Sequence, residues 1–164
     1  MRKITGGIWR RAMPRNAPKN PRFKALIDTN VALDLLQQRE PFVYDALQIF
    51  ALSEAGQLKL YLSTDAISTI YYVVAKNADA ATGREAVSKL LDFVSLAALD
   101  ERAVLNGLAL DFADVEDALV AAVAEKESAQ AIITRNARDF TGSPVPVMTP
   151  REFLAFWQAR DSRG

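Results

Sequence analysis

The stretch Lys24-Ala25-Leu26-Ile27-Asp28-Thr29-Asn30 decides the fold. Residues 24–28 read as a short, fully buried strand, apolar and ended by a polar turn. An acid at the end of such a strand is costly unless it is paired or holds a metal ion. The plainer role for Asp28 is a turn former or helix cap. Asn30 or Thr29 can cap the helix that follows, in which Val31, Leu33, Leu35 and Leu36 are apolar. Asn30 can also share the site of Asp28 as a neutral ligand or water holder. Asp34, one helical turn beyond Asn30, reads as a solvated residue or as one supporting the site from behind.

Outward from this stretch, strands and helices alternate. Pro41 opens a second helix to about Ala55, with Phe42, Ala46, Leu47, Ile49 and Phe50 on its inner side, and Gly56 stops it. Leu58 to Leu62 is a second strand, after which Ser63 or Thr64 caps a helix to about Lys76. A further helix spans about Ala80 to Phe93, and Leu96 to Leu99 forms a short strand. Asp100 caps a helix to about Leu110, and Asp114 caps the next, to about Glu127. Strands follow at Ala131–Thr134 and Val145–Met148. Thr149-Pro150-Arg151-Glu152 is a capping box that opens a last helix through Trp157. This alternation implies a parallel sheet with helices on both faces. In such sheets, sites lie beyond the carboxyl ends of the strands, where Asp28 and Asn136 fall.

Composition narrows the chemistry. The 164 residues suit one domain with a real core, and no apolar run reaches the length of a membrane span. There is no His and no Cys. Imidazole acid–base catalysis, thiol nucleophiles, disulfides and thiolate metal sites are therefore unavailable, and the lack of Cys fits a reducing cytoplasm. Carboxylates with a hard divalent cation remain, a combination suited to phosphodiester hydrolysis. The net charge of zero hides an asymmetry. Residues 1–24 carry eight basic groups and no acid, whereas the other 140 carry 12 basic and 20 acidic groups. Residues 1–22 read as a basic tail, which can meet RNA phosphates or be a simple extension. Residues 23–158 read as the folded domain and 159–164 as a C-terminal tail.

The acids gather in three places. Asp114, Glu116 and Asp117 stand in the first turn of a helix, where the macrodipole favours anions. Asp114 is the natural cap. Asp117 shares its face and precedes Ala118-Leu119-Val120-Ala121-Ala122-Val123-Ala124, apolar on all sides and so a buried helix. Glu116 points about 100° away but can reach a wide site. Asp139 follows Asp117 by twenty-two residues, in a loop after the strand end Thr134-Arg135-Asn136. Thr134 can hydrogen-bond a carboxylate, and Arg135 and Arg138 can contact phosphate or pair with acids. Together these describe three or four oxygen ligands converging on one end of a sheet, a set that Mg²⁺ or Mn²⁺ prefers.

Taken in order, Leu26-Ile27-Asp28-Thr29-Asn30-Val31, Asp117-Ala118-Leu119-Val120-Ala121-Ala122, Ile133-Thr134-Arg135-Asn136-Ala137-Arg138-Asp139-Phe140 and Thr149-Pro150-Arg151-Glu152-Phe153-Leu154 resemble the PIN domain. The resemblance implies a three-layer α/β/α sandwich with a central, mainly parallel sheet. It implies a Mg²⁺- or Mn²⁺-dependent ribonuclease, with RNA as substrate. It also implies the toxin of a VapC-type toxin–antitoxin pair, cytoplasmic, often homodimeric and neutralised by a small antitoxin. It carries the catalytic acids onto Asp28, Asp117 and Asp139, with Asp114 and Glu116 as further metal ligands. Asn30, Asp65, Thr69, Thr134 and Asn136 become supporting residues, and Arg135 and Arg138 RNA contacts.

One departure stands out. The family often has a Glu in the helix after the second strand, and here that place falls at or beside Thr69. Asp65, on the same face one turn earlier, can substitute, or Thr69 or Ser68 can hold a metal-bound water. The missing Glu also admits a binding module without turnover. Aspartate-based phosphatases and phospho-receivers share the acid after the first strand. The phosphatase pattern needs a second Asp where Asn30 stands, and Thr134-Arg135-Asn136 lacks the late Lys of a receiver. Leu33, Leu36, Ile70, Tyr71 and Tyr72 lie on helices that can form a partner surface, though core packing accounts for them more simply.

Overall fold

The computed structural model describes residues 23–161; the basic stretch 1–22 and residues 162–164 lie outside the described residues. Five strands form one sheet: β1 Lys24–Ile27, β2 Lys59–Ser63, β3 Val94–Ala97, β4 Ala131–Ile133 and β5 Val147–Met148. Their order is β3-β2-β1-β4-β5 and every pairing is parallel. Parallel pairing needs a crossover between successive strands, and the helices supply it. They are α1 Thr29–Leu36, α2 Phe42–Glu54, α3 Ala66–Asn77, α4 Ala80–Leu90, α5 Glu101–Leu108, α6 Val115–Lys126 and α7 Pro150–Asp161.

The alternation of side chains across the strands divides the core into two layers. Ala25, Ile27, Leu60, Leu62, Ala131 and Ile133 face one way and pack with Val31, Ile49, Phe50, Ile70, Leu90 and Phe153 from α1, α2, α3, α4 and α7. Leu26, Tyr61 and Ile132 face the other way and pack with Ala103 of α5, Val120, Ala121, Val123 and Ala124 of α6, and Phe140. The result is the three-layer sandwich. Each fully buried Leu, Ile or Phe contributes about 1.5–3 kcal/mol relative to exposure. Leu33, Leu36 and Ile70 are core residues, whereas Tyr72 is exposed. The all-apolar run after Asp117 is buried as its composition requires; its alanines let α5 approach so closely that a Cβ on Gly107 would stand 2.9 Å from Leu119.

Several boundaries differ from the sequence reading, each for a physical reason. α1 is capped by Asp28, the helix-cap role read for it as the plainer one, with its carboxylate accepting the Thr29 N–H; Thr29 and Asn30, the other candidates, lie inside the helix. Neither Ser63 nor Thr64 caps α3: Ser63 donates to Asp65, and the Thr64 hydroxyl accepts the Leu99 N–H at 3.1 Å. α4 ends at Leu90 and the next strand starts at Val94, because Leu60 pairs with Val94 and fixes the register of that edge. α7 continues past Trp157 to Asp161, with the Arg160 guanidinium over the rings of Phe23 and Trp157. Asp100, Asp114 and the Thr149–Glu152 box cap as their sequences prescribe. Among the described residues, no helix is long and apolar enough to cross a membrane.

Candidate active site

The site begins with register. Ile27 pairs with Ile133, so the chain leaves β1 and β4 side by side. The Asp28 N–H then donates to the Ile133 carbonyl at 2.9 Å, which sets Asp28 and Thr134 as neighbours from opposite ends of the sequence. Asp28 Oδ1 accepts the Thr29 N–H at 2.6 Å. Its Oδ2 accepts from Asn30 Nδ2 at 2.7 Å and from the fully buried Thr134 hydroxyl at 2.8 Å. Burial pushes the Asp28 carboxyl above the ordinary carboxylate range, and the Thr134, Thr29 and Asn30 hydrogen bonds and the Arg135 charge act against that rise.

The strand exit is tied on its other side too. Asn30 Oδ1 accepts the Arg135 N–H at 3.2 Å, and Thr134 Oγ1 accepts the Asn136 N–H at 3.1 Å. Asn136 itself is exposed and leads into a 3₁₀ turn, Ala137–Phe140, which carries Arg138 and Asp139 on the surface while Phe140 packs inward against Phe112.

α6 brings the second group of acids. Asp114 is exposed and spends Oδ1 on the Glu116 N–H, 2.7 Å away. Asp117, half-buried, is pushed up to about 6, by burial first and then by the charges of Asp28, Asp114, Asp139 and Glu116. Glu116 is raised by burial and by Asp28, Asp114 and Asp65. Asp28, Asp114, Glu116 and Asp139 thus lie within electrostatic range of Asp117, and Asp65 within range of Glu116. Asp65 contributes the smallest of the charges that raise Glu116, while Thr69 is exposed on α3.

At this mouth, beyond the end of β1, the acids do not close on one another. Among the described residues, no three of them come together as a ready ligand set for a metal ion. In donor type and charge they nevertheless fit a hard divalent cation: all are oxygen donors, and every neighbouring charge that sets Asp117 is negative.

Sequence reading did not join one pair, although pairing with an acid was one of its two readings of Arg135 and support from behind the site one of its two readings of Asp34. Asp34 is not solvated; it is 1% exposed. Its countercharge is Arg135, with Nε 3.2 Å from Oδ2, and the Arg135 guanidinium also stacks on Phe42 at 4.4 Å. Arg135 is therefore occupied in pairing a buried acid rather than presented for phosphate. The signal was available: Asp34 is a lone charge inside Val31-Ala32-Leu33-Asp34-Leu35-Leu36. Arg138 remains exposed.

The chain is similar to known proteins in sequence and in fold. A sequence profile described as PIN domain matches residues 24–138. Ribonuclease VapC1 of Aquifex aeolicus (strain VF5) is 26% identical over 139 residues, 82% of this chain and 95% of that protein. A toxin–antitoxin complex from Klebsiella pneumoniae contains a chain 28% identical, with a TM-score of 0.59, covering 77% of this chain and 97% of that one. A chain of VapBC2 from Rickettsia felis, bound to a DNA fragment from its promoter, is 15% identical with a TM-score of 0.62, covering 77% and 98%. The last likeness is one of fold.

Proposed function

This chain belongs to the PIN domain family, and we propose that it is a ribonuclease of the VapC kind, the toxin of a toxin–antitoxin pair. The observation that carries the reading is Asp28, an acid at the strand end fixed by three hydrogen bonds and surrounded by further acids. Asp28, Asp117 and Asp139 would hold one or two Mg²⁺ or Mn²⁺ ions, assisted by Asp114 and Glu116. When bound, such a cation supplies positive charge to the phosphodiester and lowers the pKa of the attacking water.

The chain's own residues do the rest. Thr29, Asn30 and Thr134 hold both Asp28 oxygens in place, so the carboxylate does not reorganise during reaction. Asp65, Thr69 and Asn136 would position water. Arg138 meets a flanking phosphate. Water as nucleophile leaves a 5′-phosphate and a 3′-hydroxyl. The open mouth suits single-stranded or looped RNA. A small antitoxin covering this mouth, a homodimer and a cytoplasmic location complete the proposal.

A second reading, a PIN-like binding module without turnover, is favoured by two observations: Thr69 stands where a Glu is usual, and the acids are not drawn together. One experiment separates the two. Purified protein, freed of any antitoxin, is incubated with a mixed RNA pool in Mg²⁺, Mn²⁺ or EDTA, beside Asp28→Asn. Cleavage that needs the metal and disappears in the variant supports the nuclease. RNA binding with no cleavage in either metal supports the module.

A further inference from the structure

The Asp34–Arg135 pair lies outside the acidic mouth yet is joined to it. Asp34 is 1% exposed, and a carboxylate so deeply buried is costly without a partner. Its partner comes from the far end of the chain, the first residue beyond Thr134, with Nε at 3.2 Å. Within α1, Asp34 follows Asn30 by one helical turn, so the two share a face. Asn30 binds the same exit backbone: its Oδ1 accepts the Arg135 N–H, and its Nδ2 donates to Asp28 at 2.7 Å and to Thr134 Oγ1 at 3.2 Å. Two points of one helix face thus grip the end of β4. The stack of Arg135 on Phe42, the first residue of α2, adds a third.

We propose that Asp34 is a positioning residue: through Arg135 it holds the Thr134–Asn136 exit against α1, and so fixes the Thr134 hydroxyl on Asp28. The role of Asp28 in the proposed nuclease is the premise for its effect on turnover. The pair also explains why a cation so close to the acids does not collapse onto them. Arg135 lowers the proton affinity of Asp28, yet its Nε is paired with Asp34 at 3.2 Å, as an ion pair without hydrogen-bond geometry, and its guanidinium is stacked on Phe42.

The test is amide hydrogen exchange, followed by NMR, on wild type, Asp34→Asn and the double variant Asp34→Leu/Arg135→Gln, which breaks the pair without leaving a charge buried and alone and so keeps the test open even if Asp34→Asn fails to fold. The Arg135 and Asn136 amides, each bonded to a side chain of this network, are expected to exchange about tenfold faster in both variants, the worth of one hydrogen bond. Core amides such as Ile132 should keep their rates. A uniform acceleration across the sheet, or no change at Arg135 and Asn136, would overturn the proposal. Cleavage assays on the same proteins should show a lower kcat with little change in KM. If wild type cleaves no RNA, the nuclease reading fails, and the exchange result still decides the positioning role.

Discussion

Asp117→Asn should make the metal-free protein more stable while removing its proposed activity. The carboxyl of Asp117 lies at about 6, against an ordinary value of 3.8, because burial and four neighbouring acids disfavour its charge. The sign follows from linkage. A carboxyl raised on folding holds its proton more tightly in the native state, so stability is lost as pH rises from about 4 through 6, and the full cost is present above 6. In a dry site that interval would correspond to about 3 kcal/mol. Asp117 is only half-buried, so water screens it. The dipole of α6 also returns about 0.3–1 kcal/mol to an anion in its first turn. A net penalty of about 1 kcal/mol remains, equal to roughly 2–4 °C in melting temperature for a chain of this size. The assay is thermal unfolding in EDTA from pH 4 to 8. The variant should melt above wild type at pH 7.5 and the curves should converge near pH 4. Saturating Mn²⁺ should reverse the order, since a ligand at about a hundred times its Kd adds about 2.7 kcal/mol to the protein that binds it. A variant no more stable than wild type at pH 7.5 in EDTA, or a gap independent of pH, would refute the reasoning.

Three further substitutions test the frame around the site. Thr134→Val keeps the shape but strips a buried hydroxyl that serves Asp28, Asn30 and the Asn136 N–H; urea unfolding should show a loss of about 1–3 kcal/mol. Gly107→Ala sets a Cβ 2.9 Å from Leu119 Cδ2 and 3.2 Å from the Ala118 carbonyl oxygen, so α5 must shift off α6; a loss of about 1–3 kcal/mol in the same assay is expected. Phe153→Ala empties a fully buried position stacked on Phe23, Phe156 and Trp157. It should cost about 3–5 kcal/mol, read from the denaturation midpoint.

What could be read from the sequence follows the range of the interactions involved. The Thr149–Glu152 box and the caps at Asp100 and Asp114 are complete within four residues, and each forms as read. The alternation that makes the sheet parallel is also local, since each buried strand carries its own apolar run. The cap of α1 is different. Asp28, Thr29 and Asn30 are all competent caps, and the choice is made by Thr134, 106 positions away, which fixes the Asp28 carboxylate. Asp34 needed the same kind of information: its ion-pair partner Arg135 arrives from 101 positions away, and Arg39 adds a second, local countercharge. β3 is hardest. Its residues run buried, exposed, exposed, buried, with no period to read, so only its pairing with β2 sets where it begins.

The acids differ in how firmly they are held, and that difference bears on how such a site works. Asp28 has both oxygens engaged by α1 and β4, whereas Asp139 is exposed on a short 3₁₀ turn and Asp114 has Oδ1 committed to its own helix. One rigid carboxylate at the strand end is therefore accompanied by several looser ones, and the surrounding negative charge raises the cost of charging Asp117 and Glu116. In the proposed nuclease, an arriving cation would neutralise this repulsion and draw the looser acids together. That repulsion accounts for the six acids having no assembled ligand set among them. In that proposed site a free guanidinium beside Asp28 would compete with the cation, and the pairing of Arg135 with Asp34 would limit this competition.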